Sequence, residues 1–188
     1  FSDKNEILKN LEIKNKDLSS DIKINILNEI SKSNNIFKNT KINNASINSK
    51  DIKKDDIFFA IKGKKKEGNS FVKEAFKRGA SIAVVNKSKK KTKQIKVKDT
   101  LKFLTKVSSV LRENLASKII AITGSCGKTS LKELVGKTLK KISNTTYSPK
   151  SFNNKYGVPI SLFNLKKIDD FGIFEIGMNK KGEIDYLS

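Results

Sequence analysis

Histidine is absent from the 188 residues, cysteine occurs once, as Cys126, and arginine twice, as Arg78 and Arg112. One cysteine excludes an intrachain disulfide. The lack of histidine excludes a Cys/His zinc cluster and leaves Cys126 without the imidazole that would activate a catalytic thiol. Such cysteine usage fits a reducing compartment, and a cytoplasmic location is expected. Long apolar runs are also missing. None approaches the roughly 20 residues that span a bilayer and no signal peptide is visible, so no membrane partner is expected.

Lysine is plentiful instead: Lys and Arg number 40 against 19 Asp and Glu, a net charge of +21. Taken alone, that surplus motivates a basic nucleic-acid or membrane-surface module. The composition argues otherwise. Lysine rises together with asparagine and isoleucine, as an A+T-rich coding bias produces, whereas nucleic-acid sites favour the arginine fork and interleaved aromatic rings. The densest stretch holds Lys87, Lys89, Lys90, Lys91, Lys93, Lys96 and Lys98 with no acid and no aromatic. It reads as a solvated loop, and no nucleic-acid partner is expected. The charge would raise encounter rates with small polyanions, to an extent that salt screens.

The chain opens on Phe1 and stops at Ser188 soon after an apolar run, which suggests a fragment. Its length suits one large or two small domains. Residues 1–34 remain unassigned apart from a short helical stripe at Ile22, Ile26, Leu27 and Ile30. Residues 35–116 read as a small α/β domain. Strands are expected at Ile57–Ile61, Ile82–Val85 and Ile95–Val97, and a helix at Phe71–Arg78 stopped by Gly79. Asp99 should cap a further helix carrying Leu101, Leu104, Val107, Leu111 and Leu115, which closes this domain. The boundary falls near Ser117.

Residues 117–188 then read as strand Ile119–Ile122, a glycine loop, and a helix whose Leu131, Leu134, Val135, Thr138, Leu139 and Ile142 share one apolar face. A short strand at Thr145–Tyr147, a polar loop through Tyr156, a turn or helix start at Gly157-Val158-Pro159 and the apolar run Phe171–Ile176, expected as a strand, follow. Strands separated by helices imply a parallel sheet with right-handed crossovers. The fold class is α/β: a small α/β domain followed by the first part of a phosphate-loop, parallel-sheet domain.

The chemistry concentrates in Thr123-Gly124-Ser125-Cys126-Gly127-Lys128-Thr129-Ser130. Glycines let the backbone bend and present N–H groups, and the helix behind them favours negative charge at its start. In such a loop the lysine reaches the β- and γ-phosphates and the hydroxyl after it ligates Mg²⁺, so Lys128 and Thr129 take those roles. The general pattern has one more glycine, at the place of Ile122, so this is a shorter variant. Glu175 stands at the carboxyl end of an expected parallel strand, where open α/β sheets bind ligands. With the phosphate loop nearby, a metal ligand is the better reading of that acid.

Three segments in order resemble one family: the loop with Leu131-Lys132-Glu133 behind it, Phe152-Asn153-Asn154-Lys155-Tyr156-Gly157-Val158-Pro159, and Glu175-Ile176-Gly177-Met178-Asn179-Lys180-Lys181-Gly182-Glu183-Ile184. They look like the Mur ligases of peptidoglycan synthesis. Residues 46–85, with Asn48-Ser49-Lys50, Asp56-Ile57-Phe58-Phe59-Ala60-Ile61-Lys62-Gly63 and Gly79-Ala80, are similar to that family's N-terminal substrate domain. The resemblance covers residues 36–188. The family usually has Asp-Ser-Arg or Asp-Thr-Arg at 48–50, Gly-Asn at 150–151 and His at 180, where this chain has Asn-Ser-Lys, Lys-Ser and Lys.

The resemblance implies an ATP-dependent ligase that uses Mg²⁺ to join UDP-N-acetylmuramoyl-tripeptide and D-alanyl-D-alanine through an acyl phosphate, working as a monomer. It places Lys128 and Glu175 in catalysis, and Gly124, Ser125, Cys126, Gly127, Lys128, Thr129, Ser130, Asn153 and Asn154 around the nucleotide. Thr129 and Glu175 hold the metal, and Ser49 and Lys50 face the substrate. A sister ligase adding diaminopimelate or lysine is the nearest alternative. A generic phosphate-loop NTPase would explain residues 117–188 but leave the first domain unused. By the same resemblance, a carbamylated lysine, the adenine contacts and a C-terminal domain lie beyond Ser188, and the 188 residues alone are expected to be inactive.

Overall fold

Parallel pairing follows from strands that recur after helices, and two such sheets organise the chain. The computed structural model describes residues 19–32, 37, 40–63, 67–87, 93–149 and 152–177. These fall into two compact units, one drawn from Phe1–Lys98 with Lys166–Ile168, the other from Asp99–Leu165 with Asp169–Ser188. Lys89–Lys91, Lys150-Ser151 and the Met178–Ile184 part of the family-like segment lie outside the described residues, as do residues 1–18 of the opening stretch.

In the first unit, residues 19–31 form helix α1. Strands β1 (Ala45–Ser46), β2 (Ile57–Phe59), β3 (Ile82–Val85) and β4 (Gln94–Lys96) form a parallel sheet in chain order, with helix α2 (Val72–Lys77) between β2 and β3. Every residue of β2 and β3 is buried, the pattern of a parallel sheet covered on both faces. Phe58, Ala60, Ala83 and Val85 pack with Val72 and Ala75 of α2. Two expected elements are shorter than their apolar runs. The Ile61 N–H turns back to the Phe59 carbonyl at 2.8 Å and ends β2, and a 3₁₀ turn at Gly68–Phe71 takes the start of the expected helix. The α1 stripe is rotated: Ile24, Ile26 and Leu27 are buried while Ile22 and Ile30 are half-exposed. Lys23 is buried with them and donates to the Asn43 carbonyl at 2.7 Å.

The second unit contains α3 (Thr100–Glu113), β5 (Lys118–Ile122), α4 (Lys128–Leu139), β6 (Thr145–Tyr147), α5 (Gly157–Phe163) and β7 (Phe171–Glu175). Asp99 caps α3 as expected, its Oδ1 accepting from Leu101 and Lys102 N–H at 2.9 and 3.0 Å. Packing divides the chain one helix earlier than residue 117. Helix α3 lies against α5, where buried Ser108 donates to the Pro159 carbonyl at 2.8 Å. The sheet order is β5-β7-β6, all parallel, so the last strand in sequence is the central one. Its register sets Ile122 beside Glu175.

Helix α4 departs from its periodicity. Leu131 and Leu134 are 50% and 65% exposed, and Ile142 just beyond the helix is 79% exposed, whereas Lys132 and Gly136 are buried. The helix lies on β6 and β7. The face that meets them carries the small residue and the long lysine stem, whose ammonium lies 3.4 Å from Glu133 Oε1.

Candidate nucleotide-phosphate site

Strand β5 runs into the loop 123–127 and the loop into α4, so the helix start is aimed by the sheet. Gly127 makes the turn with φ 74°, a left-handed conformation that costs an L-residue roughly 1–2 kcal/mol. No side chain caps α4 at that end. Its first-turn N–H groups therefore face outward with the positive end of the helix dipole, an arrangement suited to phosphate oxygens. Lys128 folds back over the loop and donates to the Gly124 carbonyl at 2.7 Å and the Ser125 carbonyl at 3.4 Å. Cys126 is exposed on the same loop.

Glu175, at the end of β7, is only 2% exposed. Its Oε2 accepts from Thr129 Oγ1 at 2.7 Å and its Oε1 from Asn153 Nδ2 at 2.8 Å. Its own N–H donates to Ser148 Oγ at 3.4 Å, and the next N–H, of Ile176, to the Ile122 carbonyl at 2.9 Å. Among the described residues this buried carboxylate pairs with no lysine or arginine. Two hard oxygens in contact, one an ionisable acid without a cation, are a donor set that fits Mg²⁺. No cluster of three or more His, Cys, Asp or Glu residues occurs among the described residues. Water and phosphate oxygens would have to complete the coordination, as Mg²⁺ usually arranges.

The structure thus gathers the loop, Lys128, Thr129, Asn153 and Glu175 in one place. Asn154 Oδ1 accepts from Tyr156 and Gly157 N–H, both at 3.0 Å, at the start of α5. Ser49 and Lys50 belong to the first unit. Ser49 is 4% exposed, and its hydroxyl donates to Glu74 Oε2 at 2.7 Å. That hydrogen bond holds the Glu74 carboxyl below its usual range. Partial desolvation opposes it, and Arg78 adds to it, with Nε 3.4 Å from Oε1. Lys50 is exposed. Sequence reasoning missed Ser148, a buried hydroxyl that shows its purpose only once β6 and β7 are paired. It missed too that Asn153 reaches Glu175.

Comparison with known proteins gives two family matches that meet between residues 117 and 122, one helix later than the division by packing. A family model described as Mur ligase family, catalytic domain, matches residues 41–117, and one described as Mur ligase middle domain matches residues 122–188. The UDP-N-acetylmuramoyl-tripeptide--D-alanyl-D-alanine ligase of Rickettsia prowazekii is 37% identical over 155 residues, covering 81% of this chain and 34% of that protein. The ligase of the same name from Escherichia coli is 33% identical over 129 residues, 68% of this chain and 28% of that protein. Among solved structures, MurF from Acinetobacter baumannii superposes with a TM-score of 0.74 at 31% identity, covering 87% of this chain and 37% of that one. The MurF ligase of Thermotoga maritima in complex with ADP gives 0.63 at 28% identity, with 77% and 34% covered. The chain spans about a third of the length of the curated relatives it matches.

Proposed function

Because the chain belongs to the Mur ligase family, we propose that the full-length protein uses ATP to join D-alanyl-D-alanine to UDP-N-acetylmuramoyl-tripeptide, and that residues 117–188 carry its phosphate site. One observation carries the reading: a phosphate loop whose Thr129 hydroxyl meets the buried Glu175 carboxylate at 2.7 Å. The relatives' names and the ADP complex of one of them support it.

Amide formation from a carboxylate needs a better leaving group than oxide. In the proposed reaction a carboxylate oxygen of the tripeptide bonds to the γ-phosphorus of ATP and ADP leaves. The amine of D-alanyl-D-alanine then attacks the acyl carbon, and phosphate departs with the former carboxylate oxygen as a proton is released. Lys128 and the loop N–H groups offset the charge on the transferring group, the main source of catalysis in phosphoryl transfer. Thr129 and Glu175 are the residues that would hold Mg²⁺, which would supply charge neutralisation to the nucleotide's phosphates. Within that scheme the first unit binds the UDP-bearing substrate, and the single cysteine agrees with a cytoplasmic setting.

Phosphate release by the full-length protein tests this, with the tripeptide precursor and D-alanyl-D-alanine each omitted in turn. Release is expected only when both are present. Release with diaminopimelate or lysine on the dipeptide precursor would assign the sister reaction instead. Equal release with neither substrate would reduce the protein to a simple NTPase.

A further inference from the structure

The two oxygens of Glu175 are held by different elements. Thr129, from the first turn of α4, faces Oε2, while Asn153, from the loop between β6 and α5, faces Oε1. Asn153 also grips the chain beyond the acid: its carbonyl accepts the Gly177 N–H at 2.6 Å. The two backbones approach so closely that a Cβ on residue 177 would sit 2.9 Å from Asn153 Cγ and 3.1 Å from its carbonyl oxygen. Asn153 is thus fastened to residues 175 and 177 at once, by its side chain to one and by its main chain to the other.

An ionised carboxylate only accepts hydrogen bonds, and the last torsion of a glutamate is broad and roughly two-fold. Thr129 alone would leave the carboxylate plane free to turn. A second donor on the opposite oxygen stops that rotation and satisfies Oε1 without charge, so that Oε2 faces the hydroxyl of Thr129. We propose that Asn153 is a positioning residue that sets the carboxylate of Glu175 for the metal, and does not itself contact the nucleotide. This rests on the reading of Thr129 and Glu175 as Mg²⁺ ligands given above. The adjacent Asn154 fits the same division, since its side-chain oxygen is already taken by two N–H groups at the start of α5.

The test is ADP binding by the full-length protein, measured by calorimetry in excess EDTA and again across a Mg²⁺ titration. For Asn153→Ala, affinity in EDTA should stay within about twofold of wild type. The Mg²⁺ concentration giving half of the metal-dependent gain should rise roughly 10–100-fold, the usual cost of removing a residue that orients a metal ligand. In a Glu175→Gln background the same substitution should shift the Mg²⁺ dependence no further. Asn153→Leu, which keeps the volume but removes the donor to Oε1, should give the same sign of change. It serves if the alanine variant melts far below wild type. An equal loss of ADP affinity with and without Mg²⁺ would make Asn153 a nucleotide contact and overturn the proposal, as would an unchanged Mg²⁺ dependence. If wild-type affinity for ADP ignores Mg²⁺ altogether, the metal reading of Thr129 and Glu175 falls first, and this one with it.

Discussion

Each unit buries a carboxylate at the end of a strand, and the two are held in opposite ways. Asp56, directly before β2 and 4% exposed, accepts backbone N–H groups on both oxygens, from Asn44 at 3.0 Å and Lys53 at 2.8 Å. Glu175 accepts only side-chain donors on its carboxylate. Backbone donors cannot turn away without moving the chain, so Asp56 is a fastening. The Thr129 hydroxyl can rotate away while Asn153 holds the other oxygen, which suits the proposed exchange of that hydrogen bond for a cation. Burial alone therefore does not separate the two acids; a side-chain partner that can turn away does, and it supports the proposed metal role of Glu175.

That contrast can be broken most sharply at Glu175. Glu175→Gln keeps the shape and removes the carboxylate, and under the proposed function should lower kcat/KM of the full-length protein on the order of 100-fold or more. Its unfolding midpoint in urea should barely move. A large loss of stability with intact kcat would make Glu175 a fastening like Asp56. Asp56→Asn should behave in reverse. Its amide sets a donor against a backbone N–H, which costs about 1–3 kcal/mol of stability, while kcat of the folded fraction holds. Loss of turnover without loss of stability there would erase the distinction.

Glu74 is the intermediate case, held by a hydroxyl and a guanidinium. Its folded pKa lies below the ordinary value of 4.5, chiefly through Ser49. A depressed carboxyl contributes stability above its unfolded pKa, and that contribution is lost as pH falls through the folded pKa. Ser49→Ala should therefore lower the melting temperature slightly at pH 7, with the gap to wild type narrowing below pH 4.5. A gap of constant size across that range would show that the hydrogen bond does not depend on the charge.

Much of this was legible from local signals. The loop 123–130, Asp99 as a cap, the buried run of β3 and Glu175 at a strand end each depend on residues near in sequence, where spacing and chemistry act directly. The failures share a cause as well. Leucine periodicity selected the wrong face of α4 because the contacting face is decided by what β6 and β7 can accommodate, here Gly136 and the stem of Lys132. The asparagine pair 153–154 is adjacent in sequence, yet spacing could not show that one side chain reaches Glu175 while the other accepts N–H groups at the start of α5. The hydrogen bond from Ser49 to Glu74, 25 residues away, was also invisible, because nothing nearby in sequence reveals it.

The position of β7 between β5 and β6 carries a consequence for synthesis. The loop and Thr129 leave the ribosome 46 residues ahead of Glu175, a lag of roughly 2–9 s at typical elongation rates. During that interval β5 and β6 have no strand to pair with, because neither pairs with the other. The nascent chain would present a phosphate cradle with its acid still unmade. On the proposed reading of Thr129 and Glu175, Mg²⁺ would find both of these ligands only after residues 171–175 slot into the gap, so metal capture there would report that β7 has paired with β5 and β6.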